Sequence, residues 1–471
     1  MHSLLRRCNM LSRRVQLQKC FCSALSSSPP NRREGKSSIE KSEHIIILGC
    51  GIAGLSTARY LLQYSNNSKI TLIDRASDIL PTNKLSQPYT SYEEQICDQL
   101  LHNYIPSRRN GNVLCPSLTV PWTSRPLFNE IVLPSLKSML DFDRGDSNQS
   151  PPAIIFDWYN LIMDKNMWSF GFHFLCQKFL LGRSEHESNK NILEYNMKCL
   201  DDPSDDIIKS IEYGRFATGT RLPDGTIKEC DSSGDIGLFC RGLLHNLLEQ
   251  YDDRLTVIQN EQVSKLLLHE EELIGVDTTT MVNRNDDESI TRTADKIVVA
   301  LGSNSTSLCK DVGVPCPIIP VKGHLVTISS SVDSKYNITL DGGVGYAAPM
   351  HHISSEGRRL YRLSGFVDFT SGAETDHNRV EQLIQAAKEY LPDAELIDSS
   401  ACHRPISADD RPLIGQTLKY PNLYLCTGFG SRGWSIGLAS GKLLATQMLG
   451  LTCEVSPEAY LPTRFNLGSY R

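Results

Sequence analysis

The sequence predicts an α/β protein in which a Rossmann-like dinucleotide-binding domain is interleaved with a second, α+β domain. Three observations support this prediction. Residues 44–74 have the order strand, glycine-rich turn, helix, strand; residues 255–302 resume with strands after a long insertion; and residues 423–449 place another glycine-rich turn between a strand and a helix. A βαβ start that resumes after insertions is typical of a nucleotide-binding domain interrupted by another domain.

The first element is a short β-branched run, residues 45–48, followed at once by Gly49, Gly51 and Gly54 in a G-x-G-x-x-G pattern. The first glycine permits a tight turn, the second lets backbone approach a pyrophosphate, and the third lets the helix pack closely on the strand. The next strand ends in Asp74, at about the spacing expected of an acid that binds ribose hydroxyls. This context predicts a dinucleotide site without deciding between FAD and NAD. The alternative is an ordinary strand–helix turn.

The first 33 residues are basic: they carry seven Arg and Lys residues, no acid, several serines and no continuous apolar run. This composition predicts an organelle transit peptide, with the mitochondrion favoured, the plastid as the alternative destination and a disordered tail as the other interpretation. Without these seven charges, the net charge of −6 becomes −13 for residues 34–471. Such an acidic remainder predicts no nucleic-acid partner.

Length and composition limit the class of protein, the presence of membrane spans and the role of the cysteines. The chain has 471 residues, of which 40% are hydrophobic and 22% charged, as is usual for a globular protein with two or three domains. No apolar run approaches the twenty or so residues of a membrane span. The 15 cysteines include no C-x-x-C pair. We therefore expect buried thiols, no metal site and no disulfide framework.

The remaining elements alternate between the two domains. A three-stranded meander is predicted over residues 263–293, and a strand over 296–301 ends in Gly302. Further strands and one helix between residues 320 and 390 are predicted to form the α+β domain, and the aromatic residues of 157–181 are predicted to pack in a helical subdomain. The predicted segments are a leader at 1–40, dinucleotide-binding parts at 44–105, 226–312 and 401–455, α+β parts at 106–225 and 313–400, and a C-terminal tail at 456–471.

The C-terminal glycine turn completes a pattern that resembles the D-amino acid oxidase-like group of FAD-dependent oxidoreductases, most closely bacterial D-amino acid dehydrogenases. The resemblance runs from about residue 44 to the C-terminus. It implies FAD as cofactor, a glutathione reductase-like FAD-binding domain, an α+β substrate domain, and oxidation of a CH–NH group by hydride transfer to the flavin. The resemblance rests on the Gly49 motif and on residues 110–122, 234–239, 320–327, 404–415 and 423–450.

The resemblance also implies which residues bind FAD. The N-terminal motif takes the ADP half, Val263 binds the adenine side through its backbone, and the Asn110 region and the 428–434 turn flank the isoalloxazine. The implied set is Gly49, Gly51, Ile52, Ala53, Gly54, Asp74, Arg75, Asn110, Gly111, Asn112, Val263, Gly302, Gly428, Gly430, Ser431, Arg432, Gly433 and Trp434.

A carboxylate substrate is best held by the planar fork of an arginine. By resemblance, Arg404 lies where glycine and D-amino acid oxidases place such a residue. The alternative is an ion pair with Asp409 or Asp410. His324 and Tyr346 are further candidates because they lie on strands predicted to line the pocket, although a tyrosine bonded to backbone in the core is an equally good interpretation.

Two more residues follow from the resemblance. Arg432 is predicted either to polarise the flavin edge or to cap a neighbouring loop. Cys402 lies near the position where sarcosine-type oxidases link a cysteine to the flavin. We expect instead a buried free thiol and non-covalent FAD, because the Arg404-Pro405 pattern belongs to the non-covalent branch.

The predicted function is oxidation of a small amino acid, with electrons passed to oxygen, a quinone or an electron-transfer protein. Two alternatives remain: an N-methyl amino acid (sarcosine-like) dehydrogenase, which would act on secondary amines, and a non-catalytic flavoprotein that assembles a mitochondrial respiratory complex. The presence of Arg404 favours an enzyme. The fold alone cannot choose among these functions.

Overall fold

The computed structural model describes residues 42–76, 112–114, 154–156, 164–175, 185–281, 289–340, 345–354, 356–370 and 372–466. The leader and the candidate residues Asn110 and Gly111 lie outside these ranges. Within them, no helix combines the length and apolar character needed to cross a membrane. The same residues contain no cluster of His, Cys, Asp and Glu side chains suited to holding a metal ion.

The strands and helices are numbered in chain order. The strands are β1 Glu43–Leu48, β2 Ser68–Ile73, β3 Val113–Leu114, β4 Ile154–Phe156, β5 Thr220–Arg221, β6 Ile227–Lys228, β7 Ser232–Ser233, β8 Leu255–Ile258, β9 Glu261–His269, β10 Glu272–Thr280, β11 Ser289–Thr293, β12 Lys296–Val299, β13 Ile318–Ser330, β14 Asn337–Leu340, β15 Gly345–Ile353, β16 Arg359–Phe369, β17 Glu395–Ser407, β18 Leu413–Gln416 and β19 Leu423–Thr427. The α-helices are α1 Ile52–Tyr64, α2 Lys165–Leu175, α3 Glu185–Leu200, α4 Asp206–Ser210, α5 Ile236–Gln250, α6 Ser305–Asp311, α7 His377–Ala387 and α8 Gly433–Met448.

The first sheet is the predicted Rossmann-like sheet. Its strand order is β18-β19-β12-β1-β2-β8, and all neighbours are parallel except β18 and β19. The apolar run from Ile45 to Leu48 is fully buried, as expected for a strand covered on both faces. Helices α1, α5 and α8 contribute to the core on one face. Because parallel strands share a direction, β1, β2, β12 and β19 end at one edge of the sheet, where ligands bind in such folds.

The predicted meander is confirmed as the antiparallel sheet β11-β10-β9. It is tied to the end of β2 through backbone hydrogen bonds. The N–H of Asp74 donates to the carbonyl of Ile258 at 2.9 Å, and the N–H of Glu261 donates to the carbonyl of Asp74 at 3.1 Å. The beginning of β9 therefore lies beside the acid that ends the dinucleotide motif.

The second sheet has the order β17-β13-β16-β15-β14-β5-β6, with β4 also paired to β16. The strands predicted between residues 320 and 390 correspond to β13, β15 and β16, which all belong to this sheet. One face packs on α7 through residues such as Val326, Leu363 and Leu383. Since side chains alternate along a strand, Gly323 and Leu325 face the opposite side.

The main differences from the predicted elements concern α3 and β17. The sequence analysis did not predict α3, which packs on α8: the amide of Ala439 donates to Asn196 Oδ1 at 3.0 Å. Residues 213–219 are irregular, and the strand that follows them consists of Thr220–Arg221 alone. Residues 400 and 401, on either side of a predicted segment boundary, lie within the single strand β17; the boundaries themselves stay a prediction.

Candidate functional site

The turn between β1 and α1 has room for glycine alone at two positions. Gly49 has a φ of +103°, and a Cβ atom there would lie 2.6 Å from the carbonyl oxygen of Ala300. A Cβ atom on Gly54 would lie 1.9 Å from the carbonyl oxygen of Gly49. The missing side chains bring α1 against the end of β1, so the positive end of the helix dipole opens at the edge of the sheet. This geometry fits the pyrophosphate of a dinucleotide.

Asp74 lies beside this turn. Its carboxylate is half-buried and accepts the backbone N–H of Cys50 at 2.7 Å and that of Ala76 at 3.0 Å. An ionised carboxylate has about four acceptor positions, so capacity remains for ribose hydroxyls. Burial, followed by the charge of Asp74, raises the pKa of the Cys50 thiol well above its usual value. This cysteine therefore remains a neutral part of the turn.

The residues implied at the adenine side lie close to Asp74 along the backbone. Val263 is half-buried on β9, opposite Thr278. The N–H of Asn260 donates to the carbonyl of Ala76 at 3.0 Å. Arg75 is exposed. The structure thus brings Asp74, Arg75 and the beginning of β9, which carries Val263, to one end of the carboxyl edge, and their contact with FAD stays a prediction.

At the other end of this edge, β12 and β19 end in glycines with left-handed backbone. Gly302, Gly428 and Gly430 have φ values of +57°, +77° and +59°. The hydroxyl of Thr427 donates to the carbonyl of Gly302 at 3.0 Å, which joins the two strand ends. A Cβ atom on Gly302 would lie 3.9 Å from Cγ of Pro405, so this end lies next to β17.

Arg404 lies at this junction, immediately before Pro405. Its Nη1 donates to the carbonyl of Phe366 at 2.6 Å and its Nη2 to that of Gly365 at 3.3 Å. A Cβ atom on Gly323 would lie 2.2 to 2.3 Å from three guanidinium atoms, so the group lies flat over that glycine. Burial lowers the pKa of Arg404, with Cys402 and Asp368 acting in the opposite direction. An arginine nevertheless stays protonated at neutral pH.

Among the residues that the structure describes, no carboxylate forms an ion pair with Arg404. Asp409 binds Arg411 at 2.7 Å and Arg464 at 2.8 Å, and Asp410 binds Arg432 at 3.1 Å. The alternative interpretation of Arg404 as the partner of Asp409 or Asp410 is therefore wrong. A half-buried guanidinium whose bonds to the described residues go to two neutral carbonyls is suited to binding an incoming anion.

His324 does not line this face of the sheet, and the prediction that it does is wrong. It is fully buried on the α7 side, because it follows Gly323 and successive side chains of a strand point in opposite directions. Its Nε2 accepts the N–H of Asp376 at 3.2 Å, and its Nδ1 lies 3.8 Å from Asp368 Oδ2. Burial lowers its pKa to about 4.

Tyr346 lies on the Arg404 face of the second sheet. It pairs with Ser364 of β16, which in turn pairs with Leu325 of β13, two residues from Gly323. The tyrosine is half-buried. Its position fits the predicted pocket wall.

Arg432 and Trp434 have their side chains engaged inside the protein. The guanidinium of Arg432 is buried, pairs with the Asp410 carboxylate and donates to its backbone carbonyl, which matches the predicted loop-capping role. The indole N–H of Trp434 donates to the carbonyl of Gly234 at 2.9 Å. The prediction that these two residues contact FAD therefore depends on their backbone atoms.

The remaining residues implied to bind FAD lie in the two glycine-rich turns and beside Gly234. Ile52 and Ala53 are buried in the first turn of α1, Ser431 is exposed, and Gly433 begins α8. Asn112 is buried with a φ of +58°, and its carbonyl accepts the N–H of Gly234 at 2.9 Å.

Two residues that shape the arginine site, Gly323 and Phe366, were not predicted from the sequence. A glycine inside an otherwise β-branched strand is a signal for close approach of another group, and could have identified Gly323. Phe366 has a φ of +60°. A phenylalanine carries no sequence signal for this conformation.

The comparisons with known proteins agree with this geometry. Residues 231–447 match the family described as DAO, FAD dependent oxidoreductase. A D-amino acid dehydrogenase of Dechloromonas aromatica (strain RCB) is 28% identical over 266 residues, which cover 53% of this chain and 59% of that relative. The match thus spans less than two thirds of the relative's length.

Two solved structures share the fold. Glycine oxidase from Geobacillus kaustophilus has a TM-score of 0.53 at 14% identity, covering 90% of this chain and 99% of that chain. L-proline dehydrogenase from P. horikoshii has a TM-score of 0.53 at 15% identity, covering 92% and 100%. The predicted resemblance to FAD-dependent amino acid oxidoreductases is confirmed.

Proposed function

We propose that this chain, whose residues 231–447 match the DAO, FAD dependent oxidoreductase family, is such an oxidoreductase and that it oxidises the CH–NH group of a small amino acid. Arg404 is the proposed carboxylate anchor. The imine formed by removal of two electrons and two protons hydrolyses in water. The electron acceptor is oxygen, a quinone or an electron-transfer protein.

The observation that carries this proposal is the state of Arg404. Its guanidinium is half-buried, held by the carbonyls of Gly365 and Phe366, and has no carboxylate partner among the described residues. In contrast, Arg379, Arg411, Arg432 and Arg464 all have one. The two bonds to carbonyls use two of five N–H groups, so the others can bind a substrate carboxylate.

The residues present fit FAD along the carboxyl edge of the first sheet. Gly49, Gly51 and Gly54 with the start of α1 would hold the pyrophosphate, and Asp74 the ribose. The glycines at 302, 428 and 430 would border the flavin next to Arg404. When bound, FAD supplies a two-electron oxidant.

The protein's own contribution is to orient the substrate. Arg404 fixes the carboxylate and, with it, the position of the α-carbon. Tyr346, on the same face of the sheet, is the proposed partner of a polar substrate atom. A substrate amine held away from water favours its neutral form, in which the nitrogen lone pair stabilises the developing iminium. This arrangement needs no side-chain general base.

The substrate class is tested by anaerobic titration of the purified flavoprotein with D- and L-amino acids, glycine and sarcosine, while flavin absorbance is recorded. Bleaching by primary amino acids supports the proposal. Bleaching by sarcosine alone would replace it with the N-methyl amino acid dehydrogenase. A yellow protein that no amine reduces would favour a non-catalytic assembly role.

We also propose that residues 1–33 direct the protein to mitochondria, because they are basic and lack acids. A fluorescent protein fused after residue 40 tests this localisation in cells. Mitochondrial fluorescence that is lost when the arginines become glutamines is the expected result. Plastid or diffuse fluorescence would contradict it.

A further inference from the structure

Phe366 interrupts β16 with a backbone conformation that L-residues rarely adopt. Its φ is +60°. The pairing of β13 with β16 shifts here, since His324 faces Gly365 whereas Lys322 faces Asp368, so β16 advances three residues while β13 advances two. This β-bulge turns the carbonyl of Phe366 toward Nη1 of Arg404, 2.6 Å away. A bulky side chain with positive φ persists only where its surroundings hold it there.

Arg379 of α7 contacts this bulge from the face of the sheet opposite Arg404. Its guanidinium carbon lies 4.0 Å from the centroid of the Phe366 ring. The same group binds Asp368 through two bonds, Nη2 to Oδ1 at 2.6 Å and Nε to Oδ2 at 3.3 Å. Arg379 and Asp368 are 1% and 3% exposed. The ring stack and the ion pair thus hold β16 at the bulge and two residues beyond it.

The position of Arg379 is itself fixed by the start of α7. Asp376 caps this helix, accepting the N–H of Asn378 at 2.9 Å. The backbone N–H of Asp376 donates to Nε2 of His324 at 3.2 Å, which ties the helix to β13. Arg379 lies in the first turn of α7. The position of its guanidinium relative to β16 is therefore fixed by the start of this helix.

We propose that Arg379 and Asp368 are positioning residues for carboxylate recognition by Arg404. They hold the Phe366 bulge, and the carbonyls of Phe366 and Gly365 then set the plane of the Arg404 guanidinium. A guanidinium oriented in advance loses less conformational freedom when a carboxylate binds. This inference rests on the proposed function, in which Arg404 binds the substrate.

The test compares Arg379→Met and Arg379→Lys with a matched control, Arg359→Met. Arg359 is also a buried arginine of β16: it stacks on the Phe216 ring at 4.3 Å and pairs with Asp333 at 2.7 Å. It begins the strand, seven residues and about 23 Å from the bulge. The control therefore removes a ring stack and an ion pair from the same strand, away from Arg404.

The activity readout is discrimination: kcat/KM for an amino acid divided by kcat/KM for its amide, measured on the flavin-loaded enzyme. We expect Arg379→Met to lower this ratio roughly tenfold, through KM for the amino acid. Arg379→Lys keeps Asp368 neutralised but loses the planar fork, so it should lower the ratio less. Arg359→Met should leave the ratio unchanged. A wild-type ratio in folded Arg379→Met, or an equal loss in Arg359→Met, would overturn the inference.

A crystal structure of Arg379→Lys gives a second readout. It does not depend on turnover, or on whether Arg379→Met folds. The expected result is that Nη1 of Arg404 no longer lies within hydrogen-bond distance of the Phe366 carbonyl. Retention of this bond and of the bulge would overturn the inference. If the wild-type enzyme oxidised no amino acid, the proposed function would fail, and the crystal structure would still decide whether Arg379 positions Arg404.

Discussion

At the scale of single residues, the absence of a side chain at Gly323 determines where the Arg404 guanidinium can lie. Arg404 occupies the space that a Cβ atom would take, and it reaches the two carbonyls of β16 only because that space is empty. The sequence allowed Arg404 to be proposed as the anchor. Its hydrogen bonds, and its lack of a carboxylate partner among the described residues, could be seen only in the structure. They depend on the register of β13 with β16 and β17.

Gly323→Ala should displace the Arg404 guanidinium, because the new methyl group would lie within 2.3 Å of it. The end of an arginine side chain can move, so we expect a folded, flavin-binding protein. KM for the amino acid should rise roughly tenfold, as for the loss of one charge-assisted hydrogen bond. Steady-state kinetics with the amino acid and its amide measure this effect. An unchanged KM, or an equal rise for the amide, would contradict it.

His324 gives a prediction for stability against pH. Burial, with Lys322, Arg379 and Arg404 adding to it and Asp376 opposing it, lowers its pKa to about 4 from a usual 6.5. Between these values the unfolded chain binds a proton that the folded protein excludes, so this contribution is complete above pH 6.5 and is lost as pH falls toward 4. Between pH 7 and pH 5, the decrease in the free energy of unfolding should be smaller in His324→Gln than in the wild type. The difference between the two decreases should be about 2 kcal/mol.

Urea unfolding at the two pH values measures this difference. His269→Gln, at an exposed position at the end of β9, serves as the control and should keep the wild-type slope. A wild-type slope in His324→Gln would show that the histidine does not contribute in this way.

At the scale of elements, sequence patterns predicted those whose hydrophobic period is regular. The buried strand β1, the meander and the helix after the second glycine turn were predicted for this reason. Helix α3 was not, because its first seven residues are all polar and its buried apolar residues, among them Ile192 and Tyr195, begin only at Ile192. The β16 bulge had no local signal, since tertiary contacts hold Phe366.

The β1–α1 turn yields a prediction at this scale. In Gly54→Ala, the methyl group would lie 1.9 Å from the Gly49 carbonyl oxygen, so the helix must move away from the strand. We expect loss of bound FAD and a lower free energy of unfolding, by about 1–3 kcal/mol. Flavin content after gel filtration and urea unfolding measure the two effects.

Gly171→Ala is the matched control, since it is also a helical position and nothing lies within 4 Å of its added methyl group. It should retain FAD and be at least as stable as the wild type, because alanine is favoured over glycine inside a helix by about 1 kcal/mol. FAD retention by Gly54→Ala at wild-type stoichiometry would contradict the assignment of this turn to the cofactor.

At the scale of the whole molecule, a buried ionic cluster joins the C-terminal segment to the turn between β17 and β18. Asp409 is fully buried and accepts a bidentate pair of bonds from Arg464, Nε at 2.8 Å and Nη2 at 3.0 Å, together with bonds from Arg411. Burial raises the pKa of Asp409, but the two arginines outweigh this and lower it below its usual value. Arg464 thus ties the C-terminal segment to the turn between β17 and β18.

Arg464→Met should destabilise the protein by about 3 kcal/mol, because it breaks a buried pair and leaves Asp409 with one cation. Lys190→Met is the control: its pair with Glu194 is exposed and 3.9 Å apart, so its loss should cost less than about 0.5 kcal/mol. Urea unfolding of both variants measures the difference. Equal stability of the two would show that the cluster does not hold the C-terminal segment.

The most direct test of the central claim is anaerobic bleaching of the flavin by an amino acid and by its amide, in the wild-type protein and in Arg404→Ala. The wild-type flavin should be reduced faster by the amino acid, and Arg404→Ala should bind FAD but lose this preference. A wild-type flavin reduced by neither compound, or an Arg404→Ala variant with the wild-type preference, would contradict that claim.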